Sequence, residues 1–260
     1  MQLGYIEWGI GGASVYEKAE TIAGLGFSCI SLHPFFFNKE EENAAIKAVN
    51  EFNLGVTFHT ANETPDAILA KIERYLQTIS SFHTSTGRVY CFSFDPYYTK
   101  NLESVNPEFD VLAAVILKAI ERLSPFGIRV AVENGTSLTL RDEFESLIKK
   151  LGKKKPGILL DLGHMNLKWL RGNVPVEDYI YSIPLEIFEL HVHDNDAEKD
   201  LHQPLGTGNL DLKSSVRALK RRRFDGVATF EMGSPQNTGA EWMEAIKKSR
   251  EIFLREWENL

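Results

Sequence analysis

The sequence predicts an α/β chain closed into a single (β/α)8 TIM barrel. Three observations carry that expectation. A unit of about 30 residues recurs, each a short β-branched or aromatic run, a polar loop and an amphipathic helical pattern. Eight such units fit the 260 residues, about the length of one barrel. The turn after the first strand, Gly9-Ile10-Gly11-Gly12, lacks the GxGxxG spacing and the later acidic residue of an open dinucleotide-binding sheet.

The strand-like runs, in order, are LGYIEWG from Leu3, FSCISLH from Phe27, GVTFH from Gly55, RVYCFSF from Arg88, IRVAVE from Ile128, GILLD from Gly157, IFELHVH from Ile187 and GVATFE from Gly226. Most are nearly continuously apolar, as parallel strands under a helical layer are. Between them, Ser14-x-x-Glu17 reads as a capping box, and Thr64-Pro65 and Asn106-Pro107 as caps with a first-turn proline. Ile68, Leu69, Ile72, Leu76 and Ile79 trace the buried face of the third helix. No Pro/Gly/Ser linker or charge block divides the chain, so residues 1–260 read as one domain.

Composition narrows the function classes. With 43% hydrophobic and 25% charged residues, the chain has the profile of a globular protein with a full core. The longest apolar run, Val111 to Leu117, falls short of the roughly 18 residues a bilayer span needs. The start MQLGYIEWGI lacks the basic flank of a signal peptide, so the expected location is cytoplasmic. Cys29 and Cys91 sit in apolar runs without metal-ribbon spacing and read as buried, reduced thiols. A formal charge of -7 gives no general attraction to nucleic acid.

In a barrel, chemistry gathers where strands end. Glu133, Asp161, His191 and Glu231 fall at or near the ends of strands five to eight, roughly 30 to 40 residues apart. Three carboxylates in one mouth would repel and lose hydration without a cation. Two Glu, one Asp and one imidazole suit Mn²⁺, Mg²⁺ or Co²⁺, with Zn²⁺ also accommodated. His164, Asp200 and His202 form a second polar set that either chelates a further ion or binds substrate hydroxyls. His59, ending strand three, is a substrate or metal contact or a hydrogen-bonded strand-end histidine. His191 and His193 share one face of their strand, so periodicity leaves open which is the ligand. No GxSxG elbow supports a serine nucleophile.

These residues resemble the xylose isomerase-like TIM-barrel superfamily, which joins sugar and sugar-phosphate isomerases and epimerases to endonuclease IV-type enzymes. The matching pieces are Glu133-Asn134, Asp161-x-x-His164, His191-x-x-Asp194, Asp200-x-His202 with the turn Gly206-Thr207-Gly208-Asn209, and Glu231. The resemblance implies that His191 rather than His193 completes the metal set, that Glu133 and Glu231 exchange substrate protons, and that His164 contacts the sugar. The arginine that ketose 3-epimerase-like members carry after the strand-seven acid is absent, since Asp194 is followed by Asn195, Asp196 and Ala197. An endonuclease IV-type trinuclear zinc cluster would need a histidine at the end of strand four. That region reads Cys91-Phe92-Ser93-Phe94-Asp95, so one metal would lose a ligand unless Asp95 substitutes.

The basic runs Lys149 to Lys155 and Arg217 to Arg223 precede strands six and eight, placing them at the face opposite the metal. The mouth loops carry only scattered Lys100, Arg141, Lys168, Arg171 and Lys199, too few for tracking phosphates. Phe35, Phe36, Phe37, Tyr97, Tyr98 and Trp169 could line a sugar pocket, wedge into DNA or bury a homo-oligomer contact. The expected activity is therefore a metal-dependent sugar or sugar-phosphate isomerase or epimerase working by proton transfer and a metal-stabilised ene-diolate. The substrate is a small molecule, and neither nucleic acid nor membrane is an expected partner. The alternatives are an endonuclease IV-like phosphodiesterase on abasic DNA and a metal-enolate dehydratase of a cyclic polyol.

Overall fold

In the computed structural model, eight parallel strands close into a barrel in sequence order. They are β1 (Gln2–Ile6), β2 (Cys29–Leu32), β3 (Gly55–Glu63), β4 (Val89–Pro96), β5 (Arg129–Glu133), β6 (Gly157–Asp161), β7 (Ile187–Val192) and β8 (Val227–Phe230). β8 closes on β1 from Gln2↔Val227 to Tyr5↔Phe230. The structure describes residues 1–36, 38–96, 105–135, 141–233 and 239–259. Phe37, Tyr97, Tyr98 and Lys100 lie outside them, and the side chain of Arg141 is likewise not described.

The helical layer comprises α1 (Val15–Gly24), α2 (Lys39–Glu51), α3 (Pro65–Thr86), α4 (Val105–Leu123), α5 (Arg141–Leu151), α6 (Leu162–Asn166), α7 (Lys168–Arg171), α8 (Val176–Ser182), α9 (Leu212–Arg221) and α10 (Ala240–Glu258). The sequence signals act as expected at α1, where Ser14 Oγ accepts from Glu17 N–H, and at α3, where Thr64 caps ahead of Pro65. The crossover from β6 to β7 is three short helices rather than one. Asp161 caps α6 directly from the strand, and α7 ends at Gly172 with φ 66, a left-handed φ that glycine adopts without strain.

The first strand stops at Ile6, short of the expected Gly9, and turns into a single 3₁₀ turn over Glu7–Gly9. At Gly9 the backbone passes so close to Met232 that an added Cβ would lie 2.3 Å from its carbonyl oxygen. Trp242 Nε1 donates to Gly9 O at 3.0 Å, tying this turn to α10.

Strand periodicity divides the barrel into two environments. Outward positions such as Tyr5, Ile30, Phe58, Phe92, Val132, Leu160, Leu190 and Phe230 join helix residues such as Ile22, Ile72, Leu76, Leu112 and Phe253 in one continuous apolar cluster. Each such side chain, fully buried, contributes about 1.5–3 kcal/mol. Many inward positions are small or polar, among them Gly4, Ser31, Thr57, Ser93, Glu189 and Thr229, with Ser31, Thr57, Ser93, Glu189 and Thr229 all buried. Cys91, Ala131 and Leu159 form a small separate apolar cluster, so the barrel axis is mixed inside an apolar jacket.

Candidate metal centre

Four consecutive strands deliver the quartet to the mouth formed by their C-terminal ends. Glu133 ends β5, Asp161 ends β6, His191 lies near the end of β7 and Glu231 follows β8. One donor atom from each lies within 4.8 Å of the other three. His191 Nδ1 stands 2.8 Å from Glu231 Oε2, 3.3 Å from Glu133 Oε1 and 3.7 Å from Asp161 Oδ2. Despite these approaches, neither ring nitrogen of buried His191 has an aligned hydrogen-bond partner among the described residues. Donors about 2.0–2.2 Å from a divalent ion stand roughly 3–4 Å from one another. Convergent lone pairs without a proton aligned between them are what such an ion would join, so these residues fit a divalent cation.

The remaining sequence-predicted residues surround this quartet. His59 Nε2 lies 3.5 Å from Glu133 Oε2, while its Nδ1 meets Ser93 Oγ at 3.0 Å. His164 Nδ1 donates to the carbonyl of Asn134 at 2.9 Å, and His202 Nδ1 donates to the carbonyl of Glu231 at 2.9 Å. Their Nε2 atoms both reach Asp200 Oδ2 at 3.2 Å. Asp200 thus straps the mouth, joining two imidazoles anchored on β5 and β8. The groups compact enough for one ion here are His193, Asp200 and His202, and Asp161, His164 and His193.

The strap's loop is held by Asp194, whose carboxylate accepts from the backbone N–H of Gly206 at 2.9 Å, Gly208 at 3.0 Å and Leu210 at 2.9 Å. An added Cβ at Gly208 would stand 2.2 Å from Asn195 O, which explains the glycine in that turn. Asn134 clamps the neighbouring strand end, donating to Asp161 O at 3.0 Å and accepting from Asp161 N–H at 2.6 Å.

Burial and charge push the acids apart. Burial drives the Glu133 carboxyl well above the usual range, only partly offset by His191. At Glu231 burial also raises, but His191 and His202 outweigh it and hold the group down at about 2. At Asp161 the neighbouring His164, His193 and His191 likewise overcome burial and lower it well below the ordinary value. Burial lowers His59 to about 3, with His191 adding to the shift. At His191 burial opposes protonation, yet Glu231 and Glu133 raise it well above the ordinary range. At His202 burial lowers, but the hydrogen bond to Asp200 together with the charges of Glu231, Asp200 and Asp161 outweighs it and raises the group to about 9.

One contributor was left open by the sequence and two escaped it. His193, which alternation could not separate from His191, places Nε2 3.1 Å from Asp161. Ser93 faces His59 in register. Glu189, fully buried, is the acid inside the apolar run IFELHVH. The basic runs lie where expected, before β6 and β8. There Arg217 and Arg221 pair with Glu177, and Arg222 donates to the carbonyls of Ile180, Ile183 and Leu185. No helix of the described residues is long and apolar enough to cross a membrane.

A family model described as xylose isomerase-like TIM barrel matches residues 19–257. An uncharacterized protein of Methanocaldococcus jannaschii is 28% identical over 136 residues, 50% of this chain and 44% of that protein. The match therefore spans less than half of that relative's length. Among solved structures, a D-tagatose 3-epimerase-like protein superposes with a TM-score of 0.80 at 19% identity, covering 99% of this chain and 97% of the other. An L-ribulose 3-epimerase gives 0.77 at 16% identity, covering 99% and 95%. At these identities the likeness carries the fold.

Proposed function

Because the chain belongs to the xylose isomerase-like TIM-barrel family, we propose that it is a metal-dependent isomerase or epimerase of a small sugar or sugar phosphate. The observation that carries this reading is the buried quartet of Glu133, Asp161, His191 and Glu231, whose donor atoms converge without aligned hydrogen bonds at His191. The sugar 3-epimerases among the structural neighbours support the substrate class.

A divalent cation held there would polarise adjacent carbonyl and hydroxyl oxygens and acidify the C–H between them. Glu133 and Glu231 reach the centre from strands three apart around the ring. One carboxylate takes the proton from one face of the substrate carbon and the other returns a proton to the opposite face. Asp161 and His191 complete the donor set. Asp161 is held in place by Asn134 and by the N–H of His164 at 2.6 Å. His164 serves a substrate hydroxyl when Asp200 releases its Nε2.

The test is deuterium exchange from D₂O into a panel of ketoses and ketose phosphates, run with added Mn²⁺. The expected result is incorporation at the carbon beside the carbonyl by the wild type and none by Glu231→Gln. A wild type that exchanges no member of the panel, yet cleaves an abasic-site DNA duplex, would replace this reading with the phosphodiesterase one.

A further inference from the structure

On the β1 and β2 side of the same mouth, a cavity of about 240 Å³ opens among Glu7, Val15, Leu32, His33, Phe35 and Phe36. The reaction above makes no use of it. His33 continues the inward phase of Ser31, one residue beyond the Leu32↔Phe58 pair. It therefore stands one strand over, about 4.8 Å, from His59, whose Nε2 is 3.5 Å from Glu133. The aromatic wall of the cavity is fixed from behind by α3. The Arg74 guanidinium lies over the Phe35 ring at 3.9 Å and donates to the carbonyl of Phe36 at 3.1 Å. Phe36 stacks on Phe82, and His33 meets Phe35 and Tyr75 edge to face. A wall held this firmly loses little freedom when a ligand settles on it.

We propose that this cavity is a subsite for a second, uncharged sugar ring, so that the substrate is a glycosylated keto sugar rather than a free ketose or a ketose phosphate. The substrate assignment rests on the sugar reaction proposed above, whereas the subsite itself rests on the cavity. A sugar ring has an apolar face of C–H groups and a rim of hydroxyls. Phe35 and Phe36 offer the apolar surface. Glu7 pairs with Lys18 through Oε2, which leaves Oε1 to accept from a hydroxyl, and His33 carries an N–H to donate in either protonation state. A phosphate fits less well. The carboxylates of Glu7 and Glu41 both line the cavity, and the cations on the flanking helices are engaged: Lys18 by Glu7, Lys71 by Glu63 at 3.0 Å, and Arg74 by Phe35 and Phe36. The charge-assisted donors that hold a phosphate are therefore not on offer from these three. A wholly apolar substituent would strip water from Glu7 and His33 without replacing its hydrogen bonds.

Proton exchange in D₂O with added Mn²⁺ compares fructose, fructose 6-phosphate and three glucosylfructoses linked through O4, O5 or O6. Binding energy from a remote ring is available to the reacting carbon, so one glucosylfructose is expected to show a kcat/KM about tenfold or more above that of fructose. Phe35→Ala and Glu7→Gln, each checked for a wild-type thermal transition, are expected to abolish that preference. Fructose or its phosphate as the preferred substrate, or a preference unchanged in both folded variants, would overturn the proposal. Saturation transfer from the protein to methyl β-glucoside reads the subsite without any reaction. Transfer is expected with the wild type, strongest at the ring C–H groups, and is expected to be lost with Phe35→Ala. A wild type that exchanges no sugar yet shows this pattern would remove the isomerase reading and leave the subsite standing. No transfer from the wild type, or equal transfer from Phe35→Ala, would overturn the subsite.

Discussion

The two mouths of the barrel carry charged residues in opposite arrangements. At the C-terminal mouth, Glu133, Asp161, His191 and Glu231 are buried and converge on one point. At the N-terminal mouth, a cavity of about 260 Å³ opens between Gln2, Tyr90, Cys91, Arg129, Phe188 and Asp225. Its charged residues, Arg129 and Asp225, pair with each other at 3.8 Å with side chains 42% and 75% exposed. What marks the proposed functional end is desolvated charge converging on one point.

Substitutions at the two mouths should therefore differ in kind. The largest effect is expected from Glu231→Gln, which removes both a cation donor and one of the proton-transferring carboxylates. Ketose proton exchange should fall on the order of 10⁴-fold, measured as deuterium incorporation. Next, divalent cation at about 100 times its Kd should stabilise the wild type by about 2.7 kcal/mol. In thermal melts Glu231→Gln should show little of that gain, and equal gains would place the ion elsewhere.

The lower half of the barrel should respond to pH through its thiols. Burial raises Cys29 from 9.0 to about 12 and pushes Cys91 well above 9.0. An unfolded chain ionises these thiols first, so their contribution is intact below about pH 9 and is lost as pH climbs toward the folded value. At pH 10, Cys29→Ala should have lost less stability than wild type, by on the order of 1 kcal/mol, in denaturant titrations at pH 8 and pH 10. A variant that follows the wild-type slope would show that the thiol does not titrate differently on folding. The smallest effect is expected from Arg129→Ala, whose exposed pair should contribute under about 1 kcal/mol and leave cation stoichiometry unchanged. A loss of bound cation there would break the contrast between the mouths.

Much of this contrast was legible in the sequence. Polar residues ending four consecutive apolar runs identified the quartet, because strand ends face the mouth whatever the details of register. Depth along the axis was not legible. Glu189, His191 and His193 share one phase on β7, so alternation shows that all three point inward but not which sits beside Glu133. The facing of Ser93 and His59 depends on a register shift between Val56 and Thr57, and no local pattern encodes it. The grouping of Asp200 with His164 and His202 was legible, whereas the way one carboxylate oxygen bridges both imidazoles was not, since it depends on a loop shaped by backbone bonds to Asp194.

Whether the buried quartet holds a cation is read from metal content after equilibrium dialysis against Mn²⁺. One tightly held ion per chain is expected in the wild type, and its loss from Asp161→Asn and Glu231→Gln proteins that keep the wild-type fold. Equal metal content in the wild type and both variants would contradict a cation site there.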